Sequence, residues 1–127
     1  MLKTWAWIFA VAFIVIGILG FVPGITTADG HLLGIFEVDP LHNIIHLLSG
    51  LVALFVVFGS AAAQQMYFKV FGIVYLLVTI IGFVQGDTVL GLINTNMADH
   101  ILHLLIAIVS LWLGFGKRHV AAPAPQV

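Results

Sequence analysis

Charge is the scarcest property of this chain. Lys, Arg, Asp and Glu make up only 7% of its 127 residues, while 62% are hydrophobic. A soluble domain carries about 25% charged and about 45–50% apolar residues. Four basic and five acidic side chains cannot clothe a water-facing globule of this length. With a mean hydropathy of +1.22, the composition points to a membrane protein. Cysteine is absent altogether, which excludes disulfides, thiolate metal sites, thiol catalysis and c-type haem attachment. A net charge of -1 provides no basic footprint for nucleic acid, so the first partner implied is the lipid bilayer.

What is abundant is apolar sequence in long runs. Four runs, at 4–22, 40–58, 67–84 and 97–115, are each long enough to span as a helix. At ~1.5 Å per residue such a run covers about 27–29 Å, close to the hydrocarbon thickness of a bilayer. A helix satisfies every backbone group internally, as lipid demands. The runs do not alternate in polarity as barrel strands would. The fold class expected is therefore all-α: an integral membrane four-helix bundle. The first run, with Lys3 before it and "TTA" after it, also has the look of a signal peptide. An internal repeat argues against cleavage there.

That repeat is visible by eye. "GFVPG" at 20–24 returns as "GFVQG" at 82–86, and "LLGIFEVDPLHNIIHLLSGLVALFVVFG" at 32–59 aligns without a gap on "VLGLINTNMADHILHLLIAIVSLWLGFG" at 89–116. The second offset is 57 residues and the first is 62, so the first half carries five more loop residues. Each repeat is one helical hairpin, and two crossings return the chain to the same side. The repeats, 4–59 and 67–116, are thus expected to be parallel and related by an axis along the membrane normal. They form one transmembrane domain over 1–116. Residues 117–127 read as a short disordered tail.

The charges orient this arrangement. All basic residues (Lys3, Lys69, Lys117, Arg118) flank one face, and all acids (Asp29, Glu37, Asp39, Asp87, Asp99) lie in or beside the other loops. The positive-inside rule puts both termini and the 59–66 loop in the cytoplasm. The outer loops, 23–39 and 85–96, each contain a Leu-Gly step followed by an apolar residue. A short interfacial turn or half-helix is expected in each. Trp5, Trp7, Tyr67 and Trp112 read as aromatic anchors at the cytoplasmic interface. Gly17, Gly20, Gly50, Gly72, Gly82 and Gly114, with Ser49, Ala107 and Ser110, permit close packing of helices, with one another or with a partner.

"NIIHLLSGLVAL" after a Leu-Gly loop, a third helix ending in "GFV", and "LINTNMADHILHLLIAIVSL" together resemble a bacterial family of small four-helix membrane proteins, domain of unknown function family 4383. The resemblance covers about residues 4–116. It implies a four-helix integral membrane protein and no reaction or ligand. The positions that carry over are Asn43, His46, Asn94, Asp99 and His103. The halves differ chemically, since Asp99 and His100 stand where the first half has His42 and Asn43.

The histidines are the chemistry this sequence offers. His42 and His46 share a helix face, as do His100 and His103. His46 lies about 9 Å along its helix from Pro40, at ~1.5 Å per residue. Only His46 and His103 recur at one position in both repeats, and they are expected to approach each other inside the bundle. The plainest expectation is architectural: a His/Asn/Asp network closes the outer end of a subunit that packs with a membrane-protein partner or a second copy. A sharper one is a divalent-metal site drawn from His42, His46, Asp99, His100 and His103. A third is haem or a chlorophyll-type pigment held by His46 and His103. A proton-linked or solute transporter is weaker, because no charged residue lies mid-span. No nucleophile–base pair or phosphate loop is visible, so no enzyme activity is expected.

Overall fold

The computed structural model describes residues 1–117. The element order is α1 (Leu2–Leu19), β1 (His31–Leu32), β2 (Phe36–Glu37), α2 (Pro40–Val57), α3 (Ala61–Gln85), β3 (Thr88–Val89), β4 (Ile93–Asn94) and α4 (Met97–Phe115). All four helices are long and apolar enough to cross a membrane. The tail assigned to 117–127 lies, beyond Lys117, outside the described residues.

Helix ends follow local chemistry. Pro40 opens α2, where a missing N–H costs nothing, and the Asp39 carboxylate caps the N–H of His42 at 2.8 Å. In α4, Asn96 and Asp99 form a reciprocal capping box. The third helix is longer than hydropathy predicts. It begins at Ala61 behind the Ser60 cap and runs 25 residues. "AAAQQ" is good helix-forming sequence but not very apolar, so a hydropathy reading leaves it in the loop. Gln64 belongs to this helix and is buried there. Its amide donates to the carbonyls of Val57 and Gly59, satisfying acceptors that the end of α2 leaves open.

The extensive interfaces are α1 with α2 and α3 with α4. Both are made by backbone approach at glycine. A methyl group added at Gly50 would stand 2.8 Å from the Ile14 nitrogen, and one at Gly72 would stand 2.8 Å from the Leu111 nitrogen. The helices meet more sparsely between α1 and α3 and between α2 and α3. An aromatic core fills the α1–α3 contact. Phe9 meets Phe68 and Phe71 edge-on, and Phe71 stacks on Tyr75 with ring centroids 4.5 Å apart. Tyr67 is part of this core, stacked on Phe71 and only 7% exposed. It is therefore no interfacial anchor. Trp7 and Trp112 are exposed, as anchors require.

Each connection at the end opposite Met1 and Lys117 is a miniature β-hairpin rather than a half-helix. His31 pairs with Glu37 and Leu32 with Phe36; Thr88 pairs with Asn94 and Val89 with Ile93. The reversals use Leu33-Gly34 and Leu90-Gly91, with φ of 56° and 70° in the first and 57° and 67° in the second. Positive φ at two central residues matches the right-handed twist of paired strands. The half-helix expectation fails because the Leu-Gly step lies in the left-handed region, where a right-handed helix cannot continue.

Candidate functional site

The hairpins are latched across the two halves. The Asp39 carboxylate, at the head of α2, accepts from the N–H of Asn94 at 2.6 Å. The Asp99 carboxylate, at the head of α4, accepts from the N–H of Glu37 at 3.0 Å and of Asn96 at 2.9 Å. The Asn96 amide donates to the Ile35 carbonyl at 2.8 Å. Each acid thus serves the hairpin of the other half. Asp99 is buried, so its two backbone donors are what it has in place of water.

The same latch holds His42. Its Nδ1 lies 3.0 Å from the Asn94 carbonyl. A carbonyl only accepts, so Nδ1 carries the proton and Nε2 keeps its lone pair. One ring nitrogen each of His42, His46 and His103 lies within 4.8 Å of the other two. The ring centroids are 4.5 Å apart for His42–His46, 5.8 Å for His42–His103 and 6.3 Å for His46–His103. All three side chains are buried. Phe13 and Tyr75 support the cluster edge-on, Phe13 against His46 and Tyr75 against His103.

The Nδ1 atoms of His46 and His103 have no hydrogen-bond partner among the described residues. A buried polar atom without a partner costs about 1–3 kcal/mol. Two such atoms in a cluster of three imidazoles mark bonding capacity that the described residues leave unfilled. Three nitrogens on a tetrahedral zinc ion at ~2.0–2.1 Å stand about 3.3–3.4 Å apart. The separations here are no greater than 4.8 Å, so binding an ion would draw the rings together.

The other candidate residues lie elsewhere. His100 turns toward α3, where its Nε2–H donates to the Gly86 carbonyl at 2.6 Å and its ring packs on Gly82. Asp99 is occupied by the latch. Asn43 packs on Gly20. Asn94 contributes its backbone, while its side chain is exposed. In the first loop, His31 pairs with Asp29 at 3.2 Å, away from the triad. The Thr27 hydroxyl, the backbone N–H of Asp29 and His31 hold that exposed carboxyl below the usual carboxylate range.

Sequence reasoning ranked His46 and His103 above His42, because only those two recur in both repeats. It included His42 among the candidate metal ligands but did not single it out from Asp99 and His100. The helix-face relation of His42 to His46 was visible, but its approach to α4 depends on how the hairpins cross. Thr95, buried beside the triad with an unpartnered hydroxyl, was also missed. It reads as loop sequence before a helix cap.

No curated protein and no solved structure matches this chain. With four apolar helices and a match over residues 3–116, the chain belongs to the family described as Domain of unknown function (DUF4383).

Proposed function

We propose that this protein binds one divalent transition-metal ion through His42, His46 and His103. The observation that carries this reading is the convergence of three buried imidazole nitrogens, two of the rings having a ring nitrogen with no other partner. Imidazole suits zinc, copper, nickel and iron, and three histidines with a fourth position left open is a familiar zinc arrangement. The Asn94 carbonyl supplies the outer hydrogen bond that orients a metal-bound histidine. The rings of all three histidines crowd one small volume, which suits a compact ion better than a macrocycle. Haem or pigment ligation by His46 and His103 would have to displace His42, whose ring is 4.5 Å from His46.

The charge sorting supports an orientation for this site. Lys3, Lys69 and Lys117 belong to the end that holds the termini, and the five acids belong to the hairpin end. Under the positive-inside rule the triad then faces outward from a bacterial inner membrane, under a lip of acidic residues, and both termini are cytoplasmic. The proposal is of binding without turnover. Ser49, the one hydroxyl a turn from His46, pairs with Tyr75 instead. Gly50 and Gly72 are filled by neighbouring helices of the same chain, so a membrane partner or second copy would seat on other surfaces.

An architectural role is the second reading, and the reciprocal hydrogen bonds from Asp39, Asn96 and Asp99 favour it. One experiment separates the two. The protein is purified from membranes, its metal content and absorption spectrum are measured, and both are repeated on His46→Ala, His103→Ala and the double variant. The metal reading expects close to one ion per chain, weakened at least tenfold by each substitution and abolished by both. Lower melting temperatures with no metal in any form would leave the architectural reading. A Soret or chlorophyll band would replace both with a pigment.

A further inference from the structure

Below the triad runs a groove that neither reading uses. It lies between α2 and α3, where the helices meet only sparsely, and its volume is about 700 Å³. On α3 it extends from Val78 to Ala63. At ~1.5 Å per residue that is roughly 22 Å, longer than the ~15 Å of hydrocarbon in one leaflet. Its walls are the Ile45–Val56 face of α2 and the Ala63–Val78 face of α3. Its two ends differ. At the hairpin end stand the triad and Thr95, with Ser49 and Tyr75 a turn below; from there downward the lining is aliphatic and aromatic except for the Tyr67 hydroxyl. Among the described residues, Lys, Arg, Asp and Glu are absent from the lining.

We infer that this groove holds a single-chain lipid carboxylate, with its head at the triad and its chain lying between α2 and α3. Three features select that chemistry. The volume suits one ligand, since pockets of about 300–1,000 Å³ hold one drug-sized molecule. With no cationic side chain in the lining, an acidic head has only a metal ion at the triad to pair with. The Thr95 hydroxyl, buried and unpartnered at the hairpin end beside the triad, is free to donate to a small oxygen head. The open position of a three-histidine metal ion takes water or a substrate, and a carboxylate oxygen can fill it. The head-group half of the inference rests on the metal reading; the chain half does not. The groove opens along one side between Val52 and Val74, both about half exposed, so a chain can enter laterally from the bilayer.

The test uses the full chain purified in detergent, with palmitate as probe. Native mass spectrometry is expected to find one palmitate per chain, tighter at least tenfold than hexadecanol. Filling the groove with Val74→Trp should reduce palmitate binding tenfold or more while leaving metal content unchanged. Val84→Trp, on an 80% exposed position outside the groove, should leave both unchanged. On the unaltered protein, palmitate with a photoreactive diazirine at the chain end should crosslink near Met66 and Val70, and one with the diazirine near the carboxyl should crosslink near Ser49. Crosslinks spread over all four helices would reduce the groove to ordinary bilayer contact and overturn the inference. So would palmitate binding indifferent to Val74→Trp, or a phospholipid retained in its place. Metal without palmitate sinks this inference alone. Palmitate without metal, still sensitive to Val74→Trp, sinks the metal reading and keeps the chain in the groove.

Discussion

Leu33 and Leu90 hold their backbones at φ of 56° and 57°, in the left-handed region where Cβ crowds the following carbonyl. Both side chains are more than 60% exposed, so no packing of their own offsets the cost. The strain is carried by the hairpins, which need two positive φ values in succession. Replacing Leu90 with Gly should therefore stabilise the fold by up to about 1 kcal/mol, the relieved strain of ~1–2 kcal/mol less the extra backbone entropy of glycine. Leu90→Ile should destabilise it by a similar amount, because a β-branched side chain tolerates this region less well. Thermal unfolding in one detergent checks both signs, and a loss of stability in Leu90→Gly would show that the leucine makes a contact of its own. The Leu-Gly steps were legible as turns. That the leucine shares the positive φ was not legible, since sequence marks only glycine as permissive.

At the scale of elements, the latch explains why two-residue strands persist. An isolated hairpin this short is not stable in water. Here each one is tied to the head of a helix from the other half. Asp99→Ala leaves the N–H groups of Glu37 and Asn96 without an acceptor and removes half of the capping box, a loss on the order of 2–3 kcal/mol. Asp39→Ala should cost only about 1 kcal/mol, mainly its cap on α2, because Asn94 is exposed and water replaces the carboxylate there. Hydrogen exchange gives the local readout: the Glu37 amide should lose protection in Asp99→Ala and keep it in Asp39→Ala. The helix pairs are tested differently. Gly72→Leu must separate α3 from the backbone of Leu111, and overpacking of this kind costs typically 1–3 kcal/mol. A melting temperature equal to that of the parent would mean that the α3–α4 interface is looser than its geometry indicates.

For the whole molecule, the halves meet through the α1–α3 aromatic core, the sparse α2–α3 contact and the latch. The triad also bridges them, His42 and His46 coming from the first half and His103 from the second. A bound ion should therefore add stability between the halves, about 2.7 kcal/mol when free metal is at a hundred times its dissociation constant. Chelation should lower the melting temperature of the parent protein and leave that of the His46→Ala, His103→Ala double variant where it was. Topology is tested in intact cells. Single cysteines placed at Asp29 or Asp87 should react with an impermeant reagent added outside, and reaction only after permeabilisation would invert the orientation proposed for the site.

Four spans were determined by the sequence alone, since a run of apolar residues near bilayer length has one stable form in lipid and hydropathy records it directly. The start of α4 at Met97 and of α2 at Pro40 were equally readable, because capping chemistry is local. Helix three escaped in part because its first turn is helical by propensity and not by hydrophobicity. The offset of 57 residues predicted which positions correspond, and it directed attention to His46 and His103. It could not find His42 as the third member. In the second half that position is Asp99, which takes a backbone N–H where His42 takes a backbone carbonyl. Which side chains meet depended on how the two hairpins cross-link and how far α2 stands from α3. Those distances are set by glycine contacts such as Gly50–Ile14 and Gly72–Leu111, 36 and 39 positions apart, and by hydrogen bonds 52 to 62 positions apart, and no local pattern in the chain encodes them.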